Sequence, residues 1–303
     1  MHGAKVLAVI PARFGSTRLP GKPLLPILGG EPMIAHVVRA ALAATTVHKV
    51  LVATDHEGVA AAAARAGAHT VLTDGALPTG TDRVAAAMRL TGSHADVVVN
   101  VQGDEPLVEP SAIDLVARLL LTHTAADIAT LSAPLPNEAL LDPNRVKVVR
   151  GAPLVAPHAS SLGSSGDDVV VHDACHRALY FSRAPIGMDR NELRRLLLRD
   201  PPTPSESPAL PMPVTSCGSW NRDVAPHHAA RLHVGLYAFR PDALQRFVAL
   251  PPSPLEQLEQ LEQVCPFQTR HEAASGSSQL QPAVLSSSAA TLAPASAHRC
   301  SLS

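Results

Sequence analysis

The chain has 303 residues, of which 46% are hydrophobic and 17% charged, so it can bury the core of one large domain or two small ones. Its formal net charge of −1 and its 3% aromatic content argue against nucleic-acid-binding proteins, which need basic surfaces or platforms for stacking bases. There is no apolar run of roughly 18 residues, as a membrane helix requires, and no secretory signal pattern at the start, so we expect a cytoplasmic protein.

The first 122 residues alternate between short apolar runs and longer stretches whose apolar residues recur on one face. We predict strands at 6–10, 49–53, 69–72 and 96–101, and helices at 33–44, 57–66, 81–90 and 111–122. Strands that alternate with helices are typical of βαβ units. The sequence therefore predicts an α/β fold with a mainly parallel sheet flanked by helices on both faces.

The rest of the chain is less regular. We predict strands at 128–133, 146–149, 177–182 and 232–240, and helices at 241–250 and 254–263. Two segments rich in Ser, Gly and Pro, at 151–168 and 201–226, are predicted to be low-complexity insertions. The composition becomes rich in Ser and Ala after residue 263, so we expect one domain at 1–263 and a disordered tail at 264–303.

The first predicted strand ends in a loop that carries three cations, Arg13, Arg18 and Lys22, together with Gly15 and Ser16. Glycines and small hydroxyl residues let backbone N–H groups approach an anion, and the cations supply the charge that holds a polyphosphate. The loop has neither the Walker A spacing nor the G-x-G-x-x-G spacing. The alternative is a basic loop that is merely solvated.

The most hydrophobic predicted strand runs into the sequence VQGDEP, residues 101–106. A carboxylate directly after a buried strand commonly holds Mg²⁺ beside a bound phosphate, which makes Asp104 a candidate ligand. Gln102 offers an amide to a polar substrate. The alternative is an ordinary turn, because a Gly-Asp pair also suits one.

The sequence TGTDR, residues 79–83, lies at the start of a predicted helix, and its small residues and Arg83 could contact a base or a phosphate. The alternative is helix capping by Thr81 with Asp82 in the first turn. Further polar candidates in the second half are His233, Tyr237 and Glu256, for which a structural role is the alternative. The 15 histidines show no zinc-ligand spacing.

Several motifs occur in an order that resembles one known family. They are IPARFGSTRLPGKPL, ATDHE, TGTDR, VNVQGDEP, NRVKVV, ALYFSRAPI, HVGLYAFR and PPSPLEQLEQLEQ. Together they resemble the 3-deoxy-manno-octulosonate cytidylyltransferases, or CMP-KDO synthetases. The resemblance implies a Rossmann-like nucleotidyltransferase, usually a homodimer, that uses Mg²⁺ to convert CTP and KDO to CMP-KDO and pyrophosphate for lipopolysaccharide or other polysaccharide biosynthesis.

The resemblance also implies roles for individual residues. Asp104 matches the aspartate that holds Mg²⁺, and with Arg13 and Lys22 it forms the implied catalytic group. The nucleotide side comprises Arg13, Ser16, Arg18, Lys22, Thr79, Gly80 and Arg83. The implied sugar-acid contacts are Gln102, Arg183, His233, Tyr237 and Glu256, in which the guanidinium of Arg183 suits a carboxylate.

The sequence departs from the family pattern around the TGTDR motif and in its C-terminal part. Leu77 stands where the family has a histidine, and Ala86 stands where it commonly has a glutamate. The family's VDTPEDL-like segment with its second Mg²⁺ aspartate is missing, and no Asp or Glu follows Glu272. Three interpretations therefore stay open: an active CMP-KDO synthetase, a catalytically impaired nucleotide-binding relative or truncated gene product, and a nucleotidyltransferase for another sugar acid.

Overall fold

The structure is a computed structural model that describes residues 3–15, 19–136, 139–154, 175–191, 194, 230–262 and 282–286. Its strands are β1 (Val6–Pro11), β2 (Pro26–Ile27), β3 (Glu31–Pro32), β4 (Lys49–Thr54), β5 (His69–Leu72), β6 (Val97–Asn100), β7 (Ile128–Ala133), β8 (Lys147–Pro153), β9 (Cys175–Ser182), β10 (Ala230–Phe239) and β11 (Pro282–Ser286). Its helices are α1 (Met33–Ala43), α2 (Glu57–Arg65), α3 (Gly80–Thr91), α4 (Pro110–Thr122), α5 (Pro241–Val248) and α6 (Pro254–Glu259).

The central sheet has the strand order β5-β4-β1-β6-β10-β7-β11-β9-β8. β1 is parallel to β4 and β6, and β4 is parallel to β5. β10 runs antiparallel to β6 and β7, whereas β11 is parallel to β7. This mainly parallel sheet between helices confirms the predicted α/β fold.

Each face of the sheet buries a separate apolar layer, because successive side chains of a strand point to opposite faces. On one face Ala8 and Ile10 of β1 pack with buried residues of α1, α2 and α4. On the other face Leu7 and Val9 pack with residues of α3 and α5. Strands that are buried on both faces are continuous apolar runs in the sequence, so they could be predicted from it.

Two elements depart from the expectations. β8 continues to Pro153, into the start of the insertion predicted at about 151–168, because it pairs with β9. The tail was expected to be disordered, but residues 282–286 form β11 between β7 and β9. Its short apolar run PAVLS can satisfy its backbone groups on both sides there. The segment 201–226 and the remaining residues of 264–303 lie outside the described residues, and among the described ones no helix is long and apolar enough to cross a membrane.

Candidate functional site

The site lies where β1, β4 and β6 end at the same edge of the sheet. The strands are parallel neighbours, so the residues that follow them converge there. The N–H of Ala12 donates to Ala53 O, and the N–H of Val101 donates to Val9 O, both at 2.9–3.0 Å. The basic loop (residues 12–22, of which 16–18 are not described) and the segment after β6 therefore begin side by side.

The segment after β6 crosses the end of β1 at very short range. A Cβ added to Gly103 would lie 2.5 Å from the backbone oxygen of Pro11, a distance that real Cβ atoms essentially never show. Only glycine allows this approach. It places Asp104 over the end of β1, beside the basic loop.

Asp104 and Lys22, the predicted metal ligand and a predicted phosphate ligand, form an ion pair. Lys22 Nζ lies 2.9 Å from Asp104 Oδ2, with 33% and 59% of the two side chains exposed. A 3-10 turn over Lys22–Leu24 presents the lysine, and Gly21 opens it with a φ of 73°. An exposed pair of this kind adds little stability but leaves both groups accessible to a ligand.

The donor set around Asp104 fits a magnesium ion that shares a nucleotide's phosphates. Burial, and then the negative charge of Asp104, raises the pKa of the neighbouring Glu105 carboxyl, whereas Lys22 opposes that effect. Among the described residues there is no group of three His, Cys, Asp or Glu side chains that could hold a metal ion. Mg²⁺ commonly binds one or two carboxylates and takes its remaining ligands from substrate phosphates and water, so a carboxylate such as that of Asp104 is compatible with it.

Arg83 on α3 is almost completely buried, with 2% of its side chain exposed. Its Nη1 donates to Thr73 Oγ1 at 2.5 Å, and its Nη2 lies 3.6 Å from Asp55 Oδ2. Nη2 has no hydrogen-bond partner among the described residues. Burial lowers the pKa of Arg83, Asp55 opposes that effect, and the positive charge of Arg13 adds to it. The charge of Arg13 therefore acts on Arg83.

The start of α3 brings the TGTDR motif to the same edge. Thr79, not Thr81, caps the helix: its hydroxyl oxygen accepts from Asp82 N at 3.1 Å, and its O–H donates to Asp82 Oδ2. A Cβ on Gly80 would lie 3.4 Å from the ring of Pro11, so the helix begins against the end of β1. Its N-terminus adds positive potential near the basic loop.

Sequence reasoning missed Glu262, which lies just after α6. The hydroxyl of Thr81 donates to Glu262 Oε2 at 2.7 Å, across 181 residues of sequence. Burial raises the pKa of Glu262, and the nearby charges of Asp82 and Glu256 act in the same direction. The only signal was its place in the repeat LEQLEQLEQ, in which nothing distinguishes the third glutamate from the first two.

His233 and Tyr237 lie on β10, whose pairing with β7 shifts register between Val234 and Tyr237. Their ring centroids are 5.3 Å apart, and Phe181 packs edge-on against His233. Tyr237 is paired with Asn100, the last residue of β6. The two rings therefore lie next to the strand that leads into Gln102.

The hydroxyl of Thr130 determines which ring nitrogen of His233 carries a proton. Its Oγ1 lies 2.9 Å from Leu236 O, 3.1 Å from Val234 O and 3.0 Å from His233 Nε2. A hydroxyl has one proton and carbonyl oxygens only accept, so that proton goes to a carbonyl and His233 Nε2 donates to Oγ1. Burial lowers the pKa of His233 to about 3, so the ring is neutral and Nδ1 is left as an acceptor.

Arg183 and Glu256 both have structural partners. The guanidinium of Arg183 donates to Glu259 O, Pro143 O and Gln260 O at 2.7, 3.0 and 3.4 Å. Glu256 completes a capping box with Ser253 at the start of α6. α6 ends at Glu259 rather than at residue 263, because Gln260 takes a left-handed conformation with a φ of 51°. For both residues, contact with a sugar acid stays a prediction.

The structure thus brings part of the predicted site together. Lys22 contacts Asp104, Gly80 lies beside Pro11, and the positive charge of Arg13 lowers the pKa of Arg83. Ser16 and Arg18 lie outside the described residues. The backbone oxygen of Gln102 accepts a hydrogen bond from Glu105 N at 3.2 Å.

Comparison with known proteins gives consistent matches. A family model described as Cytidylyltransferase matches residues 7–272. The 3-deoxy-manno-octulosonate cytidylyltransferase of Thioalkalivibrio sulfidiphilus is 41% identical over 257 residues, 84% of this chain and 83% of that protein. The protein of the same name from Chromohalobacter salexigens is 42% identical over 255 residues, 84% of this chain and 80% of that protein. A solved structure of CMP:2-keto-3-deoxy-manno-octonic acid synthetase complexed with CTP is 30% identical, with a TM-score of 0.64 over 94% of this chain and 91% of the other.

Proposed function

This chain belongs to the cytidylyltransferase family, and we propose that it transfers the cytidylyl group of CTP to 3-deoxy-manno-octulosonate (KDO), giving CMP-KDO and pyrophosphate. The observation that carries the proposal is the contact between Lys22 and Asp104 at 2.9 Å. It brings together a cation suited to binding phosphate and a carboxylate suited to binding a metal ion. Both lie at the edge of the sheet where the parallel strands end, which is where nucleotides bind in open α/β folds.

The reaction requires positioning and charge neutralisation rather than a covalent intermediate on the protein. The anomeric hydroxyl of KDO attacks the α-phosphorus of CTP and gives up its proton to water, the bond from the α-phosphorus to the oxygen of the β-phosphate breaks, and pyrophosphate leaves with that bonding electron pair. Arg13 and Lys22 neutralise the triphosphate and the leaving group. We assign Ser16 and Arg18 to the same cradle, and Thr79, Gly80 and Arg83 to the cytidine side.

Asp104 is the residue that would hold Mg²⁺, together with phosphate oxygens of CTP and water. The bound ion would neutralise phosphate charge and orient the α-phosphate. The contact between Lys22 and Asp104 then has to open when nucleotide and metal bind, because the phosphates attract the cation and the metal attracts the carboxylate. This exchange costs little, since both side chains are partly exposed.

The sugar acid would bind beside β10. His233 accepts a hydrogen bond from a sugar hydroxyl through Nδ1, since Thr130 occupies the other ring nitrogen. Gln102 and Tyr237 complete this side, with Arg183 and Glu256 as the further predicted contacts. For Arg183 to bind the sugar carboxylate, its guanidinium must use N–H groups that the three carbonyl oxygens do not occupy.

The test is pyrophosphate release by the purified chain with CTP, KDO and Mg²⁺, with CMP-KDO identified by mass spectrometry. Asp104→Asn keeps the shape of the side chain but removes the charge that holds the metal, so we expect turnover to be abolished. Asp96→Asn is the matched control, because Asp96 accepts from the backbone of Lys5 at the opposite edge of the sheet. Full activity of Asp104→Asn would overturn the metal assignment.

A second candidate function is nucleotide binding without turnover. It is favoured by the absence of any Asp or Glu after Glu272, where the family resemblance implies a second metal aspartate. Calorimetry with CTP and Mg²⁺ separates the two: tight binding with no pyrophosphate release supports the second candidate. A chain that carries a grafted family-type C-terminal segment can be tested in the same way. If it releases pyrophosphate, the lack of turnover is due to the missing carboxylate. Replacing KDO by N-acetylneuraminate in the same assay tests a nucleotidyltransferase for another sugar acid.

We also propose that the chain acts in the cytoplasm as a homodimer and supplies lipopolysaccharide or polysaccharide biosynthesis, as its family resemblance implies. Light scattering at micromolar concentration should give the mass of two chains. The mass of a single chain, measured at a concentration at which the enzyme is fully active, would contradict the dimer.

A further inference from the structure

We infer that Asp55 is a positioning residue for the nucleotide: one carboxylate oxygen fixes the backbone of the basic loop and the other faces the buried guanidinium of Arg83. The inference deepens the proposed function and rests on it. Asp55 belongs to the ATDHE motif, which has no assigned role in the chemistry above.

The first oxygen of Asp55 holds the loop at Phe14. The N–H of Phe14 donates to Asp55 Oδ1 at 2.8 Å, and the carbonyl oxygen of Phe14 accepts from Gly21 N at 2.9 Å. Both backbone groups of Phe14 are thus used, between Arg13 on one side and Lys22 on the other. Asp55 therefore holds Phe14, the residue whose backbone joins the end of the loop that carries Arg13 to the end that carries Lys22.

The neighbouring residue of the motif holds the side chain of Phe14. The ring of His56 stacks on it with centroids 3.9 Å apart and planes 11° from parallel. His56 is fixed in turn, because its Nδ1 accepts from Gly58 N at the start of α2. The turn after β4 consequently contacts both the backbone and the ring of Phe14.

The second oxygen of Asp55 faces Arg83. Asp55 Oδ2 lies 3.6 Å from Arg83 Nη2, and 2% of the Arg83 side chain and 16% of the Asp55 side chain are exposed. A buried cation needs a nearby anion, and Arg13 adds positive charge rather than relieving it. Asp55 is therefore the nearest carboxylate to a buried guanidinium that we assign to the cytidine side of the site, and the charge of Asp74 acts in the same direction.

These two contacts can be separated by one substitution. In Asp55→Asn the amide oxygen can still accept from Phe14 N, but the side chain has lost its charge and turns an N–H₂ donor toward Arg83. Asp55→Asn should therefore weaken the interaction with Arg83 and keep the hydrogen bond to the backbone of Phe14. Asp55→Ala removes both contacts.

The experiment measures KM for CTP and for KDO separately. We expect Asp55→Asn to raise KM for CTP about tenfold, the effect of losing one charge-assisted contact, and to leave KM for KDO within about twofold. Asp55→Ala should raise KM for CTP further and lower kcat as well. Asp96→Asn, which removes the charge of another carboxylate bound to a backbone N–H, should change neither KM. Equal rises in both KM values, or no rise for CTP, would overturn the inference.

Two readouts do not depend on turnover. Calorimetric CTP affinity should fall in Asp55→Asn but not in Asp96→Asn. Amide exchange at Phe14 should be slow in the native chain without ligand and fast in Asp55→Ala, and fast exchange in the native chain would refute the loop contact even if no variant folds. If the native chain makes no CMP-KDO, the proposed function fails, whereas these two readouts still decide the role of Asp55.

Discussion

Replacing Gly103 by alanine tests whether the close approach of two strand ends controls the reaction. The added Cβ would lie 2.5 Å from Pro11 O, whereas ordinary contact begins at 3.4 Å. The difference, 3.4 minus 2.5, is about 0.9 Å, and Pro11 O is a backbone atom of a buried strand that cannot rotate away. The segment carrying Asp104 must therefore shift by roughly that amount.

The consequence for activity and stability follows from this displacement. A misplacement of about 1 Å of a positioning group costs on the order of 100-fold in rate, so we expect kcat/KM of Gly103→Ala to fall by about that factor. Overpacking of this size should also lower the free energy of unfolding by about 1–3 kcal/mol. The assays are pyrophosphate release with CTP and KDO, and urea unfolding followed by circular dichroism.

The stability control is Gly80→Ala, whose Cβ would meet the ring of the same Pro11 at an ordinary 3.4 Å. Its free energy of unfolding should not fall, since alanine is also the better helix residue. The reasoning is refuted if Gly103→Ala keeps kcat/KM within twofold of the native chain and unfolds at the same urea concentration.

Three further predictions follow from buried polar groups. Thr130→Val removes the acceptor of His233 Nε2, so nitrogen NMR should show the Nε2–H form depleted, whereas Thr130→Ser should keep it; an unchanged spectrum in Thr130→Val contradicts the proton assignment. Burial raises the folded-state pKa of Glu262 above 4.5, so the folded chain favours the protonated carboxyl. The stability that comes from this preference is fully present below pH 4.5 and is lost as the pH rises through the folded-state pKa. The Glu262→Gln variant has no such proton to lose, so its free energy of unfolding should rise relative to that of the native chain between pH 4.5 and neutral pH. A difference between the two free energies that stays constant with pH in urea unfolding would contradict this. Burial raises the pKa of Cys175 to about 12, so iodoacetamide should modify it in the folded chain far more slowly than in urea, and equal rates on peptide mapping would disprove its protection.

The order and type of most elements could be predicted because they depend on local pattern. Continuous apolar runs marked β1, β4 and β6, and the alternation with helices indicated their parallel arrangement. The ends of elements were less certain: α6 stops at Glu259 because of one left-handed residue that the repeat LEQLEQLEQ does not announce. β11 was missed because a five-residue apolar run is too short to distinguish from tail sequence without its neighbours.

The site residues that follow strands could also be predicted, since the carboxyl ends of parallel strands share one edge of the sheet. The partners of those residues could not be. Asp55 links the basic loop to α3, and neither its spacing nor its type indicates which atoms it contacts. Arg183 has the chemistry of a carboxylate ligand, yet its position sets it against three carbonyl oxygens.

The sequence by itself determined the α/β class, the strands and the loops that collect charge, because hydrophobic period and residue chemistry are local properties. The tertiary structure decided which charges meet. Lys22 reaches Asp104 across 82 residues, and Thr81 reaches Glu262 across 181. Such pairs depend on sheet register and on close approaches such as that of Gly103 to Pro11, which arise only when distant segments pack together.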